Sequence, residues 1–202
     1  MDLPDRLALY LEVVSVLFAL AYLKLAIRQS EWCWPAALIW VALGAVVYFD
    51  AKLYMESALQ IFYVAMAIYG WALWRRGAGD GPGVRVHWWR ARTHVLVVAV
   101  ILIASVGFGW VMSHTDAAFP YIDSFTTIAA IVTTFMVARK VIENWIYWLV
   151  IDSILVYVNL ARELYWYAGL YAYFLILVVL GFHAWWKSLN DEGHAADARL
   201  PT

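Results

Sequence analysis

Seven apolar runs, most of them close to the length that crosses a bilayer, limit this chain more than any other feature. About 20 apolar residues in a helix cover roughly 30 Å of hydrocarbon, and a helix satisfies its own backbone hydrogen bonds where no water is present. The runs extend from about Leu7 to Ile27, Trp34 to Phe49, Leu53 to Trp74, Val95 to Met112, Pro120 to Ala138, Glu143 to Leu160 and Leu164 to Trp186. The second is the shortest. The one long polar stretch, Arg75 to Thr93, is rich in Gly and Arg; the polar tail from Asn190 to Thr202 is expected to be loose.

Composition agrees. A chain with 65% hydrophobic and only 14% charged residues is too apolar for a soluble domain, and a net charge of −1 gives no basis for binding nucleic acid. Cys33 is the single cysteine, so neither an internal disulfide nor a cysteine metal cluster can form. The residues before the first run lack the positive region of a secretion signal, which points to a mature span. Sorting the polar segments onto alternating sides puts Lys24, Arg28, Arg75, Arg76, Arg85, Arg90, Arg92, Arg139, Lys140, Lys187 and Arg199 on one side. Only Arg6, Lys52 and Arg162 fall on the other. The positive-inside rule then puts the N-terminus outside and the C-terminus in the cytoplasm.

The segment Arg28–Arg76 lies over Arg139–Lys187 without a gap. Trp34 falls on Trp145, Leu53-Tyr54 on Leu164-Tyr165, Leu59 on Leu170, Gly70 on Gly181 and Trp74 on Trp185. The expected fold is therefore an all-α membrane domain covering residues 1–202, with two parallel three-helix repeats joined by a linker helix (3+1+3). Repeat 1 covers about 7–76, the linker about 95–112 and repeat 2 about 117–187. Such repeats describe the SWEET architecture, with substrate held between the bundles near the midplane.

The sixth run carries the sharpest candidate site. Trp145, Trp148 and Asp152 share a helical face (i, i+3, i+7) beside Asn144. An ionisable group at membrane depth normally faces a wet cavity or a partner. Indoles beside an anion suit a flat aromatic cation. The plainer alternative is interfacial anchoring by Trp and a carboxylate paired to a neighbouring Arg. In the third run Glu56, Gln60 and Tyr63 share a face, and their repeat mates are Tyr167, Tyr171 and Phe174. Glu56 also fits simple solvation near Asp50 and Lys52; Gln60 also fits an interhelical hydrogen bond. Asp123, Ser124, Thr126, Thr127, Thr133 and Thr134 of the fifth run either line a route or bond back to carbonyls of their own helix, and Asn159 shares the Asp152 face.

Other chemistry is missing from the sequence. The histidines (His87, His94, His114, His183 and His194) show no metal-ligand spacing, and no nucleophile elbow or phosphate loop occurs. No cofactor or metal is expected. A membrane enzyme using Glu143 and Asp152 is a remote alternative, since nine residues of helix separate them by about 13 Å. The Arg-rich loop fixes topology or meets anionic lipid.

The residues Glu56-Ser57-Ala58-Leu59-Gln60, Tyr69-Gly70-Trp71, Arg139-Lys140, Glu143-Asn144-Trp145, Trp148 and Asp152, with Leu164-Tyr165 and Tyr171, resemble the PnuC family of bacterial vitamin transporters. The resemblance covers essentially all seven runs. It implies a SWEET-like fold in the bacterial inner membrane, a homotrimer with one pathway per protomer, and facilitated diffusion of nicotinamide riboside followed by trapping through cytoplasmic phosphorylation. Relatives carry thiamine or riboflavin, and nicotinamide riboside carriers often have asparagine where Asp152 stands. Trp145, Trp148, Asp152, Gln60, Asn144, Glu56, Tyr63 and Tyr171 are the candidate substrate contacts. Thiamine, also an aromatic cation, stays open beside nicotinamide riboside; an anionic Asp152 argues against neutral riboflavin.

Overall fold

Each apolar run folds as a helix. The computed structural model describes residues 5–50, 54–76, 84–115 and 119–197. Among them are α1 (Asp5–Ile27), α2 (Cys33–Asp50), α3 (Tyr54–Arg75), α4 (Ala91–Met112), α5 (Pro120–Ala138), α6 (Asn144–Ala161) and α7 (Tyr165–Asp197). Helices α4, α5, α6 and the Tyr167–Asp191 part of α7 are long and apolar enough to cross a membrane, and Val13–Ile27 and Cys33–Val46 are shorter apolar helical stretches.

Two boundaries differ from expectation. Helix α4 begins at Ala91 because Arg90 takes an extended N-cap conformation and nothing after it breaks the helix. Helix α7 runs on to Asp197, so the tail is helical through that residue rather than loose. Beyond Trp186 the chain has no proline before Pro201 and carries Lys187, Leu189, Glu192, Ala195 and Ala196, all good helix formers. Its 33 residues extend about 50 Å, well past the hydrocarbon thickness.

Three helices end in the same turn, and none uses glycine for it. Gln29, Lys140 and Glu163 adopt positive φ (54°, 53° and 60°) just past α1, α5 and α6. At α1, Gln29 N–H donates to the Ala26 carbonyl (3.0 Å) and Ser30 N–H to that of Leu25 (3.0 Å). At α5, Lys140 N–H donates to Val137 (3.0 Å) and Val141 N–H to Met136 (2.9 Å). These are the paired bonds of a Schellman turn, and they offset the roughly 1–2 kcal/mol that a side chain costs in the left-handed region. The two turns sit 111 residues apart, the same spacing that separates Trp34 from Trp145.

The chain divides into two units, residues 1–84 and 85–202. In the first, α1 packs on α2 and α2 on α3. Trp34 of α2 is buried, meets Trp74 of α3 edge-on (centroids 5.5 Å apart, planes at 88°) and lies directly against Gly70. In the second, α4, α5, α6 and α7 pack in chain order. Trp145 of α6 is buried, meets Trp185 of α7 edge-on (5.4 Å, 90°) and lies directly against Gly181. Between membrane helices the gain is packing rather than escape from water, so a ring seated on a bare glycine matters; each edge-on pair adds about 0.5–1.5 kcal/mol. Cys33, next to Trp34, is wholly buried.

A third cluster joins α4, α5 and α6 through Ile101, Ala129 and Ile151, with Tyr147, Trp148 and Leu155 packed on it. The hydroxyls of α5 bond back along their own helix: Ser124 donates to the Pro120 carbonyl (2.7 Å), Thr126 to Ile122 (3.1 Å), Thr133 to Ala129 (2.7 Å) and Thr134 to Ala130 (2.8 Å). That is the cheapest way to hold a hydroxyl in an apolar bundle.

Candidate functional site

The Schellman turn after α5 aims the chain into α6, and Val141 and Ile142 are buried at the junction. Asn144 opens α6, 0% exposed, with its Nδ2 donating to the Val141 carbonyl at 2.7 Å. Trp145 is 2% exposed and committed to α7 through Gly181 and Trp185. The Trp145 ring is thus given to packing, while Asn144 Oδ1 and Trp145 Nε1 are buried with no hydrogen-bond partner among the described residues. The two indoles of α6 face different neighbours, where one shared surface was expected. The reason is geometric. Trp145 and Trp148 stand about 60° apart on the helix, and α6 is gripped on two sides, so one ring turns to α7 and the other to α4 and α5.

Trp148 is half-buried on the Ile101–Ala129–Ile151 cluster. Asp152, one turn further on, is 4% exposed, and among the described residues its carboxyl has no hydrogen-bond or ion-pair partner. The alternative of a carboxylate paired to a nearby Arg is therefore not what is observed. Asn159 donates to the Leu155 carbonyl at 2.7 Å and so bonds within α6. On α7, Tyr171 is half-buried, its ring edge-on to Phe174 at 5.9 Å.

The remaining candidates lie in the first unit. Gln60 and Tyr63 are half-buried on α3, and Tyr63 meets Phe62 edge-on at 5.6 Å. Glu56 belongs to α3, but its side chain lies outside the described residues.

One polar group was not foreseen. Glu143 of the α5–α6 junction accepts the Trp89 N–H at 3.0 Å, and its Oε1 lies 2.8 Å from His94 Nε2. His94 Nδ1 lies 3.0 Å from the Tyr147 hydroxyl. The signal that could have found it is Glu143 itself: a carboxylate at the head of an apolar run needs a partner. The segment before α4 is strapped across this end by the Ile142 N–H bond to the His87 carbonyl (3.0 Å) and the His87 N–H bond to that of Lys140 (3.2 Å). Glu143 is thus tied to the segment before α4 and to the first turn of α4. Among the described residues no group of three His, Cys, Asp or Glu could hold a metal.

Four helices long and apolar enough to cross a membrane, in a chain of apolar helices with aromatic rings packed on glycine, make this a multi-pass membrane protein. The family described as "Nicotinamide mononucleotide transporter" matches residues 9–187, and the chain belongs to that family. The riboflavin/roseoflavin transporter RibM of Streptomyces davaonensis is 28% identical over 195 residues, 93% of this chain and 90% of the relative. The nicotinamide riboside transporter PnuC of Escherichia coli is 26% identical over 213 residues, 93% and 89% of the two chains. The fold matches the crystal structure of the vitamin B3 transporter PnuC with a TM-score of 0.73, at 22% identity, over 90% of this chain and 83% of that one. The resemblance to PnuC drawn from the motifs holds, and the chain is a transporter rather than a membrane enzyme.

Proposed function

We propose that this protein equilibrates nicotinamide riboside across the bacterial inner membrane by facilitated diffusion, with a cytoplasmic phosphorylation trapping what enters. The observation that carries the reading is Asp152: buried, without a partner among the described residues, and one turn from the half-buried Trp148. An uncompensated carboxylate in a low-dielectric site costs several kcal/mol. A ligand with a fixed positive charge supplies the missing counter-ion, and a flat pyridinium ring can also stack on the indole, worth about 0.5–2 kcal/mol. Gln60, Tyr63, Tyr171 and Glu56 are the further contacts we propose. Trp145 and Asn144 act as the support that holds α6 in place.

The likeness to RibM favours a second reading, riboflavin. That ligand is neutral and leaves Asp152 without a counter-charge, so we rank it second. Thiamine meets the charge requirement as well and belongs in the same assay.

The 3+1+3 arrangement of SWEET-like parallel repeats is part of the proposal. It is supported by the recurrence, 111 residues on, of the Schellman turn, the buried Trp and the edge-on Trp pair on glycine. The homotrimer is likewise part of the proposal, carried over from the PnuC resemblance of the sequence motifs. The orientation, N-terminus outside, rests on the distribution of basic residues.

The test is uptake into proteoliposomes that contain only buffer. Labelled nicotinamide riboside should equilibrate without any ion gradient, ahead of thiamine and riboflavin. Uptake that requires a proton or sodium gradient rejects the uniport mechanism, and uptake of riboflavin alone rejects the substrate.

A further inference from the structure

Glu143 is 7% exposed, and among the described residues no lysine or arginine answers it. Its partners are the Trp89 N–H and His94 Nε2. With His94 donating from Nε2 to Glu143, its Nδ1 and the Tyr147 hydroxyl bond each other and complete the set. Glu143 and Tyr147 are four residues apart, so they present one side at the start of α6. His94, in the first turn of α4, bonds both at once.

The mechanical effect follows from how the helices pack. Helix α4 runs along α5, and it meets α6 in the apolar cluster of Ile101, Ala129 and Ile151 and through His94. The apolar contact resists separation but resists rotation weakly, because such surfaces slide. Two directional hydrogen bonds to one imidazole add to the Trp145 seat on α7 and resist rotation of α6 from the α4 side. Trp148 adjoins Tyr147 in the chain and Asp152 lies one turn further, so any twist of α6 sweeps both. A binding constellation tolerates only about 0.5 Å or 10–20° of error.

We infer that His94 is a positioning residue for the Trp148–Asp152 site: bound to Glu143 and Tyr147, it helps set the rotation of α6 and touches no substrate itself. The inference rests on the functional reading above. Tyr147→Phe is the clean probe, since it removes one hydroxyl and keeps the ring on its apolar cluster. Titration calorimetry with nicotinamide riboside should show a Kd raised about 3- to 10-fold, with cooperative thermal unfolding retained. In proteoliposomes the change should fall on KM rather than on the maximal rate. His94→Ala should weaken binding at least as much, and His94→Gln, whose amide can still donate to Glu143, should recover part of it. Unchanged Kd in Tyr147→Phe, or a loss of stability with Kd intact, overturns the inference. Asp152→Asn is measured beside it. If Asp152→Asn weakens binding and Tyr147→Phe does not, positioning fails while the site stands; if Asp152→Asn has no effect, the site itself is wrong and the inference falls with it.

Discussion

Gly181 presses its bare backbone onto the Trp145 indole: a methyl group there would stand 2.5 Å from Cη2. No carbon pair tolerates that distance, and Trp145 cannot retreat because Trp185 closes on it edge-on. Gly181→Ala is therefore expected to destabilise by about 1–3 kcal/mol, more than the helix-propensity gain of up to about 1 kcal/mol returns. Gly70→Ala against Trp34 should behave alike. Thermal melting in detergent checks both, and Trp145→Phe combined with Gly181→Ala should recover part of the loss if the clash is the cause.

Gly107 and Gly169 make the contrast. Both are helical, and among the described residues a methyl group at either meets nothing within 4 Å. Alanine at these positions should be neutral or stabilising by up to about 1 kcal/mol. A drop in melting temperature there would reveal a neighbour absent from the single chain.

The two indoles of α6 are expected to part company. Trp145→Ala empties a sealed packing site and should cost about 3–5 kcal/mol of stability. Trp148→Ala should cost less stability, since its ring is half-buried, and should weaken nicotinamide riboside binding instead. Parallel melting and calorimetry separate the outcomes; equal stability losses with binding retained would place Trp148 in packing alone.

Asp152→Asn keeps size and removes charge. A charged contact of this kind is worth about 1.5–3 kcal/mol, so affinity for a cationic vitamin should fall roughly 10- to 100-fold while folding persists. The comparison across nicotinamide riboside, thiamine and riboflavin is decisive, because only the cations should respond.

Much of this could be read before any coordinates. The apolar runs gave seven helices, and the register laid Trp34, Gly70 and Trp74 over Trp145, Gly181 and Trp185; that each trio meets in space is seen only in the structure. What a helical wheel cannot supply is the identity of the neighbour. It put Trp145, Trp148 and Asp152 on one face, yet it could not say that α7 would take the first ring and α4 with α5 the second. His94 escaped notice for a related reason: its partners lie 49 and 53 residues away, and no local pattern encodes them. The tail reads as polar by composition, yet helix formers such as Leu189, Glu192, Ala195 and Ala196 carry α7 on to Asp197.

Cys33, the sole thiol, sits wholly shielded beside Trp34. The native chain thus offers almost no background to thiol-reactive reagents. Single cysteines introduced at exposed helix ends can be labelled with membrane-impermeant maleimides without first removing the natural one, which makes sidedness mapping and fluorophore placement available on an otherwise unaltered protein.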